Sequence, residues 1–161
     1  MAILARNSML RSIRNALKLD DATMIHIFGL TGRVVAPSTL AALQTSEDED
    51  GHIPCADPVL GFFLDGLIIH KRGVREGASG GDGAPGAALT NNVILKKLRI
   101  ALDLKEDDMI AILKLADIEL SKHELSALFR KQGHKHYKEC GDRILTGFLA
   151  GLTRRSGSGL L

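Results

Sequence analysis

Two cysteines carry the most reactive side chains of this sequence. Cys55 and Cys140 each stand two residues before an aspartate, Asp57 or Asp142, at the predicted start of a helix. A thiol at a helix start can have a lowered pKa and act as a nucleophile, and His136 near Cys140 would favour the thiolate. A buried cysteine instead packs as a small hydrophobic side chain. Because the cysteine recurs at one position and an enzyme needs one nucleophile, we expect packing and keep a thiol enzyme as a third hypothesis.

Histidines close to both cysteines provide candidate metal ligands. The candidates are His134, His136, Cys140 and Asp142, and, earlier in the chain, His52, Cys55 and Asp57. Three or four such nitrogen, sulfur and oxygen ligands would suit zinc. Their spacing is not that of a standard zinc motif. We therefore predict that the run QGHKHYKE forms a polar loop in solvent, and that the chain holds no metal or other cofactor.

Basic side chains along one helix face give a second kind of candidate site. They are Arg11, Arg14 and Lys18 in the first predicted helix, and Lys96 and Arg99 in its counterpart later in the chain. Such a face can bind phosphate or an acidic partner, but it is also what an ordinary solvated helix face looks like. The second and third predicted helices superficially resemble a helix-turn-helix. However, its reading helix would be Ser38–Thr45, which has no Lys or Arg with which to contact a base. Weak nucleic-acid binding through the basic faces is therefore kept as the alternative hypothesis.

The elements that carry these residues occur twice in the chain. With a shift of 85 positions, residues 7–67 align with 92–152 without a gap, and roughly a third of the aligned residues are identical. We therefore predict two tandem copies of one unit, related by a pseudo-twofold axis. Copy 1 is assigned to residues 1–73, a glycine-rich linker to 74–90, copy 2 to 91–155 and a flexible tail to 156–161.

Each copy reads as four helices and as no strand, so the predicted fold class is all-α. Asn7 and Asn92 are predicted N-caps of the first helix. Ser121 with Glu124 forms a capping box before the third helix, where copy 1 has Pro37. The second helix opens with acidic residues, which favour the positive end of the helix dipole.

The fourth helix begins near Asp57 or Asp142 and carries apolar residues at positions i, i+3, i+4 and i+7 in both copies. Gly66 and Gly151 lie inside this helix at equivalent positions. Glycine inside a helix costs about 1 kcal/mol relative to alanine. Its presence in both copies therefore predicts a close helix crossing at these points.

Composition limits the classes of protein to which the chain can belong. Of its 161 residues, 45% are hydrophobic but only 4% aromatic, with no Trp, so we expect an aliphatic core. Net charge is −1 for residues 1–73 (7 Lys/Arg, 8 Asp/Glu), −1 for 74–90 (1 and 2) and +4 for 91–161 (13 and 9). Even the net charge of +4 in the second copy is far from the dense basic surface of a dedicated nucleic-acid binder.

Two cysteines do not make a disulfide framework, and no apolar run is long enough for a signal peptide or a membrane span. The expected location is therefore the cytoplasm, without membrane contact. The glycine-rich run GASGGDGAPG lacks the Lys-Ser/Thr of a phosphate-binding loop. No serine elbow or carboxylate pair stands out either, so no catalytic residue is predicted.

Five segments resemble a known family. NNVILKKLRIALDLKEDDMIAIL, ELSALFRK and YKECGDRILTGFLAGL in copy 2, with SMLRSIRNALKL and CADPVLGFFLDGLIIHKRG in copy 1, are similar to the YehS-like bacterial family of duplicated domains of unknown function (number 1456). The resemblance covers both copies, and the glycine-rich linker of this chain is longer than the family pattern. It implies a small cytosolic helical protein, and it implies no activity and no catalytic residues.

Together these features favour a non-catalytic helical module that binds a protein partner or associates with itself. The loop 46–50 (SEDED) is acidic, whereas its counterpart 131–138 is basic. This difference can steer one copy onto the other or onto a second chain, although two solvated loops that have diverged would look the same.

Overall fold

A computed structural model of the chain describes residues 6–45, 49–72, 89–131 and 133–157. These residues form eight α-helices and no strand, which confirms the predicted all-α fold of two four-helix units. The helices of copy 1 are α1 (Arg6–Leu17), α2 (Asp21–Gly29), α3 (Pro37–Gln44) and α4 (Asp57–Arg72). Those of copy 2 are α5 (Asn91–Ala101), α6 (Glu106–Leu115), α7 (Lys122–Leu128) and α8 (Asp142–Gly157).

Parts of the predicted linker, tail and acidic loop fall outside the described residues. Of the linker 74–90 only 89 and 90 are described, and of the tail 156–161 only 156 and 157, which belong to α8. In the acidic loop, 49 and 50 are described. Within the described ranges, no helix has both the length and the apolar character needed to cross a membrane.

Three helix starts follow the sequence signals. Ser121 Oγ accepts a hydrogen bond from the backbone N–H of Glu124 (3.1 Å), and the Glu124 carboxylate accepts one from the N–H of Ser121 (3.1 Å), which confirms the capping box. Pro37 is the first residue of α3. Asp20 caps α2 by accepting from the N–H of Thr23 at 2.8 Å. The side chains of Ser121, Glu124 and Asp20 satisfy backbone donors that a helix start leaves without partners, whereas proline at a first position has no N–H that needs one.

The predicted N-cap role of Asn7 and Asn92 is wrong. Thr90 caps α5 instead, and its hydroxyl accepts from the N–H of Val93 at 3.2 Å. Both helices already include the asparagine as their second residue, because α1 begins at Arg6 and α5 at Asn91. The carboxamides are buried and turned away from their own helix starts, toward backbone groups far along the chain.

The two copies are held together because the first helix of each copy packs against the fourth helix of the other, an arrangement that we call exchanged packing. The principal partner of α1 is α8, and that of α5 is α4, whereas α1 and α4 touch each other only slightly, as do α5 and α8. Exchanging the copies turns one of these helix pairs into the other, as a pseudo-twofold axis requires. Within each copy, the second helix packs on the fourth. Each first helix therefore buries most of its apolar face against the other copy.

The core that results is aliphatic. Leucine, isoleucine and methionine side chains fill most of it, and the fully buried aromatic rings among the described residues are Phe28, Phe63 and Phe148. Phe28 and Phe63 lie in tilted contact, with ring centroids 5.2 Å apart. The core residues of both copies belong to one continuous cluster, so neither copy has a separate core.

Glycine allows the second and fourth helices of each copy to cross closely. A Cβ atom added at Gly66 would collide with the carbonyl oxygen of Ile27 in α2, and one added at Gly151 would collide with that of Ile112 in α6. Backbone atoms cannot move aside as a flexible side chain can. The conformational cost of glycine in a helix is therefore offset by a crossing that no other residue permits.

The crossing predicts opposite effects for two alanine substitutions in α4. Gly66→Ala should lower the free energy of unfolding by several kcal/mol, because overpacking against backbone costs about 1–3 kcal/mol or more. Gly61→Ala is the matched control, because nothing lies within 4 Å of its added Cβ. It should raise stability by up to about 1 kcal/mol through helix propensity. Urea unfolding measures both, and equal effects would contradict the role assigned to the crossing.

The shared core predicts that a copy depends on its partner. Residues 91–161 alone would expose the face of α5 that α4 covers, and small units bury too little surface to compensate for such a loss. This fragment should melt at a lower temperature and less cooperatively than the full chain in circular dichroism. A fragment that melts at the full-length temperature would show that copy 2 has an independent core.

Candidate functional site

Both cysteines lie at the start of the fourth helix, in a position that their surroundings fix in the same way. Only 6% of Cys55 and 5% of Cys140 is exposed. The backbone N–H of each cysteine donates to the side-chain oxygen of an asparagine in the first helix of the same copy, at 2.9 Å in both cases. The asparagines are Asn7 and Asn92, which lie 48 residues before their cysteines.

The same two carboxamides also bind two carbonyl groups each. Asn7 Nδ2 donates to the carbonyl oxygens of Leu43 (2.8 Å) and Ile53 (2.9 Å). We call this arrangement the Asn clamp, since one side chain joins the end of the third helix, the following loop and the start of the fourth helix. An unsatisfied buried polar group costs about 1–3 kcal/mol. The clamp satisfies two such backbone groups, the carbonyl of Leu43 and the N–H of Cys55, and a partly buried third, the carbonyl of Ile53.

The clamp of copy 2 repeats this geometry. Asn92 Nδ2 donates to the carbonyl oxygens of Leu128 (3.0 Å) and Lys138 (2.8 Å), while its Oδ1 accepts from Cys140. The sequence indicated that these asparagines matter through their recurrence, but assigned them to the wrong task.

The aspartates beside the cysteines are bound by the residue that precedes each clamp asparagine. Arg6 Nε donates to Asp57 Oδ1 at 2.8 Å, and Asn91 Nδ2 donates to Asp142 Oδ1 at 2.8 Å. These repeat-equivalent carboxylates therefore tie the first helix to the fourth. Neither contact directs a carboxylate toward the thiol as a base.

Burial leaves both thiols protonated at neutral pH. Loss of solvation raises the pKa of Cys55 from its ordinary value of 9.0 to about 11, despite the opposing charge of Arg6. Burial, reinforced by the charge of Asp142, raises the pKa of Cys140 to about 12. A reactive cysteine needs a thiolate near neutral pH, so this environment favours the packing role expected from the sequence.

The histidines next to Cys140 lie on the surface, away from the thiol. His134 and His136 are exposed, with ring centroids 5.6 Å apart, and His134 Nδ1 accepts from the backbone N–H of His136 at 3.0 Å. Cys140, by contrast, is buried. In the part of the chain that the structure describes, no three His, Cys, Asp or Glu side chains form a group that could hold a metal ion.

Two arginines of the candidate basic face close the end of their own helix. Arg14 Nε donates to the carbonyl oxygen of Leu19 at 3.0 Å, and Arg99 Nε donates to that of Leu104 at 3.1 Å. The chain reverses there through a left-handed residue, which is Lys18 in copy 1 and Asp103 in copy 2. The helix dipole also favours positive charge at this end. These guanidinium groups therefore have a structural task that a solvated face would not give them.

The remaining candidates on this face differ in their exposure. Arg11 donates to the carbonyl oxygen of Gln44 at 3.1 Å. Lys96 is half-buried and interacts with other groups of the chain. Lys18 is exposed. Four of the five side chains, those of Arg11, Arg14, Lys96 and Arg99, thus make contacts within the chain.

The basic groups that do share an exposed segment lie in residues 130–131 and 133–138, which we call the basic loop. Its exposed side chains are Arg130, Lys131, His134, Lys135, His136 and Lys138. Its backbone is held by turn hydrogen bonds, from His134 N–H to Lys131 O and from Tyr137 N–H to His134 O, both 2.9 Å. The Asn clamp and the bond from Lys138 N–H to Ala127 O (3.0 Å) fix its far end. The loop thus presents positive charge on a backbone that is already ordered.

Comparison with known proteins agrees with the family resemblance seen in the sequence. Residues 6–73 and 91–156 match the family described as "Protein of unknown function (DUF1456)". The chain is 41% identical over 149 residues to "Uncharacterized protein YehS" of Escherichia coli (strain K12), covering 92% of this chain and 94% of that protein. No solved structure matches the chain.

The buried thiols predict slow labelling and a specific pH dependence. A thiol-reactive probe should label the native chain slowly at pH 7 and label the urea-unfolded chain fast. Because the folded state raises both pKa values above 9.0, it binds more protons than the unfolded state between about pH 9 and 11. Stability should therefore fall as pH rises through this window, and Cys55→Ala with Cys140→Ala should reduce the fall. Fast labelling of the native chain at pH 7 would instead favour a reactive thiol.

Proposed function

We propose that this chain, which belongs to the DUF1456 family, is a non-catalytic helical module that binds an acidic protein partner. The observation that carries the proposal is the basic loop, whose exposed Lys and Arg side chains sit on a backbone held by turn hydrogen bonds at its described residues. Preorganised loops bind with a smaller loss of conformational entropy than flexible ones. Charge on such a surface steers an oppositely charged partner toward it.

The absence of enzymatic activity is part of the same proposal. Its support is that the thiols are buried with raised pKa values and that the asparagines beside them are occupied by backbone groups. We also place the protein in the cytoplasm. Two free, buried cysteines suit a reducing compartment.

The basic loop also suits a protein partner through its contrast with copy 1. With the 85-residue shift, Lys131, His134 and Lys135 correspond to Ser46, Glu49 and Asp50. One copy therefore offers a positive surface where the other offers a negative one, so a charged partner can distinguish the two copies. A partner that recognised only a helix face common to both copies would meet the same surface twice.

The alternative, nucleic-acid binding through the basic faces of α1 and α5, has less support. Three of its guanidinium groups, those of Arg11, Arg14 and Arg99, already bind carbonyl oxygens within the chain. Phosphate contacts need cations that are free to replace condensed counterions. The proposal therefore expects no nucleic-acid affinity tighter than roughly micromolar at physiological salt.

A charge-reversal pair tests the proposed surface. The variant K131E/K135E/K138E changes the basic loop, and K71E/K105E/K114E makes the same change of net charge at exposed lysines elsewhere. Tagged chains are purified from native cells after nuclease treatment. The bound protein should be acidic, retained by the wild type and the control variant, and lost from the loop variant, because like charges now face each other.

Two results would contradict the proposal. One is a partner held equally by the loop variant and the control. The other is sub-micromolar, salt-sensitive binding to mixed DNA or RNA in an anisotropy titration. If that binding disappears on neutralising Arg11, Arg14, Lys96 and Arg99, the nucleic-acid alternative becomes the better interpretation.

A further inference from the structure

One of the two exchanged helix pairs contains an ion pair between the copies. Lys97 of α5 binds Asp65 of α4 through its ammonium group. Only 8% of the Lys97 side chain and 26% of the Asp65 side chain is exposed. An ammonium group buried this far is strongly destabilising without a counter-charge, so Asp65 is required wherever Lys97 is packed.

The equivalent helix pair has no charge at this place. With the 85-residue shift, Lys97 corresponds to Ser12 in α1, and Asp65 corresponds to Ala150 in α8. Ser12 and Ala150 both line a cleft of about 160 Å³ between α1 and α8. The pseudo-twofold axis therefore relates a buried ion pair to a neutral cleft, although the apolar stripes around them are alike.

This difference decides which copies can pair. In a dimer of two copies 1, Asp65 would face Ser12 at both interfaces, and a partly buried carboxylate would have no cation. In a dimer of two copies 2, Lys97 would face Ala150 at both interfaces, and a buried ammonium group would have no anion. Only copy 1 with copy 2 leaves no charge unpaired. The apolar stripes recur in both copies and supply no comparable distinction.

We propose that the packing surface of each copy is a recognition surface for the opposite copy, and that the Lys97–Asp65 pair determines this choice. The partner is the other copy, from the same chain or from a second chain. The linker raises the local concentration of the copy in the same chain, so pairing within one chain predominates. If two chains exchange copies, copy 1 of one chain pairs with copy 2 of the other. This inference does not depend on the acidic partner of the basic loop.

The test uses the full chain with a protease recognition sequence placed within residues 77–84. The folded protein is cut, unfolded in urea, refolded by dilution and weighed by native mass spectrometry. We expect complexes of one copy 1 with one copy 2. Like-with-like dimers should form less than about a tenth of the total, because each of them leaves two buried or partly buried charges unpaired.

Two variants of this chain should weaken the preference in different ways. K97S/D65A gives both interfaces the neutral pair that Ser12 and Ala150 now form. S12K/A150D gives both interfaces an ion pair, for which the cleft provides room. In each variant the copies no longer differ at this position, so the share of like-with-like dimers should rise severalfold. The exposed Arg72–Asp103 pair at the end of the same helix pair remains in both variants and keeps a smaller preference. Like-with-like dimers in the wild type, or an undiminished preference in both variants, would overturn the proposal.

The uncut chain tests the charge pairing on which the proposal rests, whether or not the cut fragments separate. Asp65→Ala leaves Lys97 buried without a partner, whereas K97S/D65A removes both charges. The single variant should therefore have an unfolding equilibrium constant about tenfold larger than that of the double variant. A single variant as stable as the double variant would show that Lys97 does not need Asp65, and the proposal would fall.

Discussion

The rest of the fold depends on one buried carboxamide in each copy. Asn7 and Asn92 use both N–H donors and the side-chain oxygen on backbone groups that lie 36 to 48 residues away. The carbonyl at the end of the third helix and the N–H before the fourth would otherwise be buried without partners, at a cost comparable to a large part of a small domain's stability. Since the clamp fixes both ends of the intervening loop, the loop sequence is free to change. Copy 1 carries SEDED there and copy 2 carries a basic segment, yet the clamp distances agree within about 0.2 Å.

The sequence predicted those features whose cause is local. The capping box at Ser121 and the proline at the start of α3 need only neighbouring residues, and both are present in the structure. Glycine at 66 and 151 indicated a close crossing because its helix penalty needs a compensating reason. The aliphatic core followed from composition and from apolar spacing in the same way.

Features caused by distant partners could not be predicted so directly. An asparagine near a helix start has the same appearance in sequence whether it caps that helix or reaches a carbonyl 36 residues away. Arg14 and Arg99 looked like a solvated face because their spacing matches one, but the left-handed residue that follows brings a carbonyl within reach of each guanidinium group. The apolar stripes also could not show that α1 packs on α8, because the fourth helices of both copies present nearly the same stripe.

The positions at which the copies differ show how a symmetric ancestor of this architecture can become directional. A duplicated unit presents each surface feature twice, and an aliphatic interface treats every pairing of copies alike. Two changes remove that equivalence here. The Lys97–Asp65 pair distinguishes the copies inside the molecule, and the basic loop distinguishes them outside it. The internal difference fixes which copy lies on which side, so the external difference always appears in the same place. A basic loop on a freely re-pairing unit would occur twice in one dimer and not at all in another, whereas the pairing of unlike copies gives one basic loop in each pair of copies.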